Sequence, residues 1–280
     1  MKKEEQLDLL YNYKPKMPAN PSNNKSNKKI VHKKKKKKKN TKAFKIVKIT
    51  LLLGLFIGGI IATLLSPLFN IKNIVVENND QISVDQIINL SRIQIDDNMF
   101  KMSKEKTIKN IKVNPYIGSV KIKRKVPDTV VLYIEERYAT FQIEIGTGYA
   151  YLNNQGYILE FSETKIEAPI IIGITQNIEV GKRIIDSDLQ KLEQVLKIIK
   201  AASSKGVEKL ITSIDITDEN NYTLILEEEG KTIYLGDISN VDTKFAYIKD
   251  FIEREKGSKG KIFVNVDLNK KKYPYFRKES

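Results

Sequence analysis

An α+β protein is what this sequence predicts, with a single transmembrane helix leading into a β-α-α-β-β module and then a mixed-sheet α+β domain. Three observations predict it. From Ile49 to Phe69 the chain runs through 21 uncharged residues, which as a helix rise about 31 Å against a hydrocarbon core of about 30 Å. The next stretch switches between strand-like alternation and helix-like spacing in the order β-α-α-β-β. Beyond it, strands and two longer amphipathic helices are interleaved, the pattern of a sheet with helices laid on it.

The amino-terminal segment, residues 1–48, holds 17 lysines against Glu4, Glu5 and Asp8, so it carries +14 of the net +15 of the 280-residue chain. The remaining residues are almost neutral. A folded nucleic-acid domain would place its cations on a folded surface, whereas this Lys, Asn and Pro segment has little to bury and reads as a disordered tail. No specific nucleic-acid partner is expected. The run Lys33–Lys39 serves as a topology signal and solvated tail, with contact to anionic lipid or nucleic acid as the alternative.

The apolar segment is too long for the core of a cleaved signal peptide, lacks an A-x-A site, and ends beside the helix stop Pro67. Lys42, Lys45 and Lys48 precede it and Lys72 alone comes soon after it. The positive-inside bias then puts the amino terminus in the cytoplasm and residues 70–280 outside. Gly54 and Gly58 supply one small-xxx-small spacing for close approach of another helix.

Outside the membrane, Ile71–Glu77 is β-branched and bounded by Asn78-Asn79-Asp80, which predicts a strand. Ser83 and Gln86 form a capping-box pair ahead of Val84, Ile87 and Ile88, and a second helix fits Ser103–Lys112, stopped by Asn114-Pro115. Val120 and Ile122 alternate with lysines, Val126-Pro127-Asp128-Thr129 turns the chain, and Val130, Leu132 and Ile134 alternate again. In the second part, Asn153–Gly156 is a turn between apolar strands. A helix begins at Asp186-Ser187-Asp188, with Leu189, Leu192, Leu196 and Ile199 on one face and Gly206 as its stop. Strands come next at Ile211–Ile216, Thr223–Leu226 and Thr232–Leu235, then a helix bearing Phe245, Ile248 and Ile252 up to Gly257, then a strand at Ile262–Val266.

Catalytic chemistry is hard to place. Zero cysteines and a single histidine, His32 in the lysine-rich tail, exclude thiolate metal sites, cysteine nucleophiles and paired imidazoles. S-x-x-K begins at Ser26, Ser103, Ser162 and Ser258, but 15 serines and 43 lysines make such hits expected by chance, and S-D-N and K-T-G are absent. Gly146-Thr147-Gly148 lacks the third glycine of a phosphate cradle, and Glu227-Glu228-Glu229 before Gly230 reads as a solvated turn. The expectation is no enzyme, no cofactor and no metal. Recognition by backbone edges and apolar surface remains, and the carboxyl end is its sharpest candidate: Tyr273-Pro274-Tyr275-Phe276 places three aromatics beside Lys270–Lys272. That segment either folds back on its own domain or presents a partner edge.

The stretches Phe69–Val76, Asn114-Pro115-Tyr116-Ile117 and Val120-x-Ile122-x-Arg124-x-x-Pro127-x-x-Val130-x-x-Tyr133-Ile134-x-Glu136-Arg137 resemble the POTRA domain of the FtsQ/DivIB family of bacterial cell-division proteins. Tyr149–Ile158 and Pro169-Ile170-Ile171-Ile172-Gly173 are similar to strands of the same family, so the resemblance covers roughly residues 69–268. It agrees with the disordered cytoplasmic tail (1–48) and transmembrane helix (49–69) read above, and implies a POTRA-like domain (70–137), an α+β domain (138–268) and a carboxyl-terminal tail or partner edge (269–280). It also implies a non-enzymatic scaffold of the plasma membrane, enriched at the division septum, that binds DivIC/FtsB-like and FtsL-like membrane proteins and influences septal peptidoglycan synthesis. The family's partner-binding edge maps to Tyr273, Pro274, Tyr275 and Phe276. Family members often carry Asp-Leu-Arg where this chain has Asp267-Leu268-Asn269, so the backbone role transfers and side-chain detail does not. The alternative is a membrane-anchored sensor or cell-wall-binding protein; the absence of tryptophan and of a local cluster combining aromatics with convergent polar groups leans against a glycan cleft.

Overall fold

The computed structural model describes residues 41–175, 177–266 and 272–279. Most of the basic tail, with His32 and Ser26, lies outside them, as do Asp267, Leu268 and Asn269.

Helix α1 (Thr41–Leu64) is apolar throughout its later turns, and Lys42–Leu64 is long and apolar enough to cross a membrane. It differs from the uncharged run at both ends. Residues 41–48, assigned to the tail by their charge, are helical, since nothing in Lys42–Lys48 breaks a helix. The helix stops at Leu64, short of Phe69, because Pro67 holds Ser66 extended (ψ 158°) and starts a 3₁₀ turn, Pro67–Phe69. Phe69 instead packs edge-on against Phe100 at 5.2 Å.

The first module beyond α1 consists of β1 (Asn73–Glu77), α2 (Val84–Ser91), α3 (Lys104–Ile111), β2 (Ile117–Lys125) and β3 (Thr129–Glu136). Its sheet has the order β1-β3-β2, with β1 parallel and β2 antiparallel to β3. The two serines predicted to begin the helices do so: Ser83 Oγ accepts from the Gln86 N–H and Ser103 Oγ from the Lys106 N–H, each at 3.3 Å. Ile87, Ile111, Ile117, Val130 and Leu132 are fully buried between helices and sheet.

The larger domain contains β4 (Phe141–Ile145), β5 (Gly148–Leu152), β6 (Ile158–Ser162), β7 (Ile170–Ile172), α4 (Asp186–Lys205), β8 (Ser213–Asp215), β9 (Tyr222–Leu226), β10 (Lys231–Gly236), α5 (Val241–Arg254), β11 (Gly260–Phe263) and β12 (Tyr275–Lys278). These strands form one nine-stranded mixed sheet in the order β12-β11-β10-β9-β8-β7-β4-β5-β6. Helices α4 and α5 contact one another and share a core with the strands, through Val195, Ile198, Phe245 and Ile248 against Leu152, Ile214, Leu224 and Ile233. The buried stripe of α4 runs through Leu192, Val195, Ile198 and Ala202, while Leu189, Leu196 and Ile199 flank it half-buried. Sequence spacing centres the stripe on the leucines. The small Ala201 and Ala202, carrying little apolar bulk themselves, let the helix sit closer and bury the adjacent face. Gly206 ends the helix in the left-handed conformation at φ 71°.

The two domains beyond α1 meet at a joint made by side-chain contacts as well as by the connecting chain. The Arg137 guanidinium donates to the Pro115 carbonyl (2.9 Å) and the Ile117 carbonyl (3.2 Å) of the first domain and lies 3.8 Å over the ring of Tyr157 of the second. Tyr116 donates across the same joint to Glu160 at 2.9 Å.

Candidate partner-binding edge

Strand β12 pairs antiparallel with β11 in the register Gly260↔Lys278, Lys261↔Arg277, Ile262↔Phe276 and Phe263↔Tyr275, and stands last in its sheet. The Glu279 N–H donates to the Lys259 carbonyl at 3.0 Å, in phase with that register. In an antiparallel ladder hydrogen-bonded pairs alternate with non-bonded ones, so Arg277 and Tyr275 turn their peptide groups inward to β11. Phe276 and Lys278 turn theirs outward, toward the side that carries no further strand among the described residues.

Side chains divide just as regularly. Phe276 is half-buried against the domain core. Tyr275 and Arg277 lie on the opposite face, where Tyr275 stacks on Phe263 (4.7 Å between centroids) and Phe263 stacks on Tyr234 (4.8 Å), an aromatic ladder across three strands. Arg277 lies 5.2 Å over the Phe263 ring. Lys261 bonds Glu279 at 2.8 Å, and the hydrogen bond together with the carboxylate's charge raises the lysine pKa above its ordinary value. Gly260 permits this packing, since a Cβ there would meet the Arg277 carbonyl oxygen and the Phe276 ring.

Of the sequence-predicted residues, Tyr273 is 74% exposed, Pro274 half-buried, Tyr275 42% exposed and Phe276 half-buried. Sequence reasoning leaves a folded-back tail and an exposed edge as alternatives. One side of β12 folds back onto β11, and its other side has no strand beside it among the described residues.

Other sheet edges are present among the described residues. β2 carries Lys121, Lys123 and Lys125 in an edge position, a composition that discourages strand addition. β6 closes the far end of the large sheet and β1 the other end of the small one. A polar cleft of about 490 Å³ at the domain joint is lined by Ser119, Glu135, Arg137, Asn153 and Tyr157.

The residues weighed for catalysis have local roles. Ser103 caps α3, and Ser162 Oγ accepts from the Thr164 N–H at 3.1 Å. Glu227 faces Lys165 at 3.6 Å and Glu229 faces the buried Lys231 at 3.5 Å. Gly146 and Thr147 form the hairpin between β4 and β5. Sequence reasoning did not find Arg137 and Tyr157 as the joint; their separation along the chain hides a contact made by the turn of the second domain.

Among known families, a model described as POTRA domain, FtsQ-type, matches residues 69–137, and one described as FtsQ/DivIB, C-terminal related, matches residues 140–269. The chain is 30% identical over 181 residues to the cell division protein DivIB of Clostridium tetani, covering 64% of this chain and 68% of that one. It is 28% identical over 238 residues to DivIB of Clostridium botulinum strain Hall, covering 81% and 91%. Against the cell division protein FtsQ of Syntrophotalea carbinolica it is 23% identical over 175 residues, covering 61% of each.

Proposed function

From the premise that the chain belongs to the FtsQ/DivIB family of bacterial cell-division proteins, we propose that it is a non-enzymatic single-pass scaffold of the division site. Its amino terminus lies in the cytoplasm, α1 spans the plasma membrane, and both folded domains lie outside, where they bind DivIC/FtsB-like and FtsL-like membrane proteins. Through them it influences septal peptidoglycan synthesis. Binding occurs by strand addition at β12, with Tyr273, Pro274, Tyr275 and Phe276 as the contact segment.

The observation supporting this most directly is that β12 ends its sheet with the peptide groups of Phe276 and Lys278 directed outward. Ladder bonds to those groups supply affinity, and the side chains of Tyr275 and Arg277 supply choice of partner. The charge step across α1, lysines before and few after, supports the orientation.

The test uses the full chain in detergent and external segments of candidate partners in a pull-down, with amide exchange before and after binding. Capture with new protection at 275–278, lost on truncation after Leu268, is the expected result. Capture that survives truncation would move the site to another edge. Binding to purified cell wall with no protein captured would overturn the scaffold reading in favour of a wall sensor.

A further inference from the structure

The first external domain has two ends, and chain reversals assign every loop to one of them. Helix α1 stops at Leu64, and Asn98 clasps the chain as it leaves: its Nδ2 donates to the carbonyls of Leu64 (3.0 Å) and Ser66 (3.2 Å). The Ile71 N–H donates to the Asp97 carbonyl and the Asp96 N–H returns to the Ile71 carbonyl, so the α2–α3 loop lies beside the chain's exit from the helix. Strands β1 and β3 begin together, Asn73 opposite Thr129, and the Lys72 N–H donates to the Asp128 carbonyl at 2.8 Å. The β2–β3 hairpin tip is therefore at this end too. Arg124 binds tip to loop, donating to the Met99 and Met102 carbonyls at 2.8 Å each.

Each of these three loops exposes a large apolar side chain at its tip: Leu68 is 62%, Ile95 52% and Val126 62% exposed. Around them stand the exposed cations Lys72, Arg92 and Lys101, and beside Ile95 the exposed acids Asp96 and Asp97. Single exposed apolar side chains are ordinary, Val113 at 72% among them, but here three separate loops gather theirs at one end of the domain. At a bilayer surface the combination is favourable, because apolar tips enter the headgroup–acyl boundary while long cationic side chains reach the phosphates.

We infer that this end of the domain is a membrane-contacting rim: Leu68, Ile95 and Val126 dip into the outer face of the bilayer that α1 crosses, and Lys72, Arg92 and Lys101 meet lipid phosphates. The occupant is the lipid surface itself, because all three tips lie at the end where the chain leaves its apolar helix. The inference rests on the membrane-spanning reading of α1. It fixes the height of the domain above the bilayer, a property that a flexible tether would leave free.

The chain has no cysteine, so single-cysteine labelling tests this directly. The full chain is placed in nanodiscs of phosphatidylglycerol and phosphatidylcholine, with a solvent-sensitive fluorophore at I95C, V126C, V113C or I57C, and quenching by nitroxide-labelled lipid is measured. Val113 is 72% exposed but comes after α3 at the opposite end of the domain, and Ile57 lies within α1. I57C should be strongly quenched, and I95C and V126C several-fold more than V113C. Quenched I57C with I95C and V126C no better quenched than V113C overturns the rim alone. Unquenched I57C removes the membrane-spanning reading and the rim with it.

Discussion

Arg124, Glu136 and Arg137 belong to the motif by which the sequence resembles its family, and all three side chains bind backbone groups. Glu136 accepts from the N–H groups of Asp80 (2.8 Å), Gln81 (2.9 Å) and Ile82 (3.2 Å), which orders the turn between β1 and α2. Their spacing was legible in the sequence; their partners were not, because each lies 20 or more residues away along the chain. Arg124→Ala should lose two charge-assisted bonds that tie the β2–β3 tip to the α2–α3 loop, at a cost of about 2–3 kcal/mol, measured by denaturant unfolding. Asp237 offers a test of pH dependence. The hydrogen bond from Ser239, then that from Lys244, lowers its pKa below the ordinary carboxylate value. A lowered folded-state pKa contributes stability that is present above the unfolded value and lost as pH falls through the folded one. Acid titration of wild type should therefore show a loss of stability below the ordinary aspartate range, and Asp237→Asn should flatten it.

At the scale of elements, the helices and most strands were readable because they bury one face each and so print a period on the sequence. The stripe of α4 was displaced because its neighbour α5 and the small alanines decide which face is buried, and neither is visible in a leucine count. β12 was readable as an aromatic segment but not as a strand, since only Phe276 of its residues reaches the core. Two substitutions separate the folding of this strand from its use. Gly260→Ala should push β12 off, costing roughly 1–3 kcal/mol by overpacking, with loss of amide protection at 275–278. Lys278→Pro removes an N–H that points away from β11, so the strand should stay paired while partner capture falls. Equal loss of protection in both variants would contradict the assigned ladder phase.

For the whole molecule, the membrane segment and the charge step across it could be read directly, because both are properties of consecutive residues. The domain joint and the rim could not, because they arise where separate loops converge. Arg137→Ala removes the stacking on Tyr157 and two carbonyl contacts, so wild type should unfold in a single thermal transition and the variant in two, one for each domain. Tyr116→Phe, which removes only the bond to Glu160, should broaden that transition less. The placement of β12 also has a mechanical consequence. Its four register pairs with β11 lie across the strand axis. Tension applied along that axis by an attached strand loads those pairs together, in shear, whereas tension across the sheet opens them one after another like a zipper. An attachment at this edge is thus strong in one direction and weak in the other, and the direction of pull decides whether it holds.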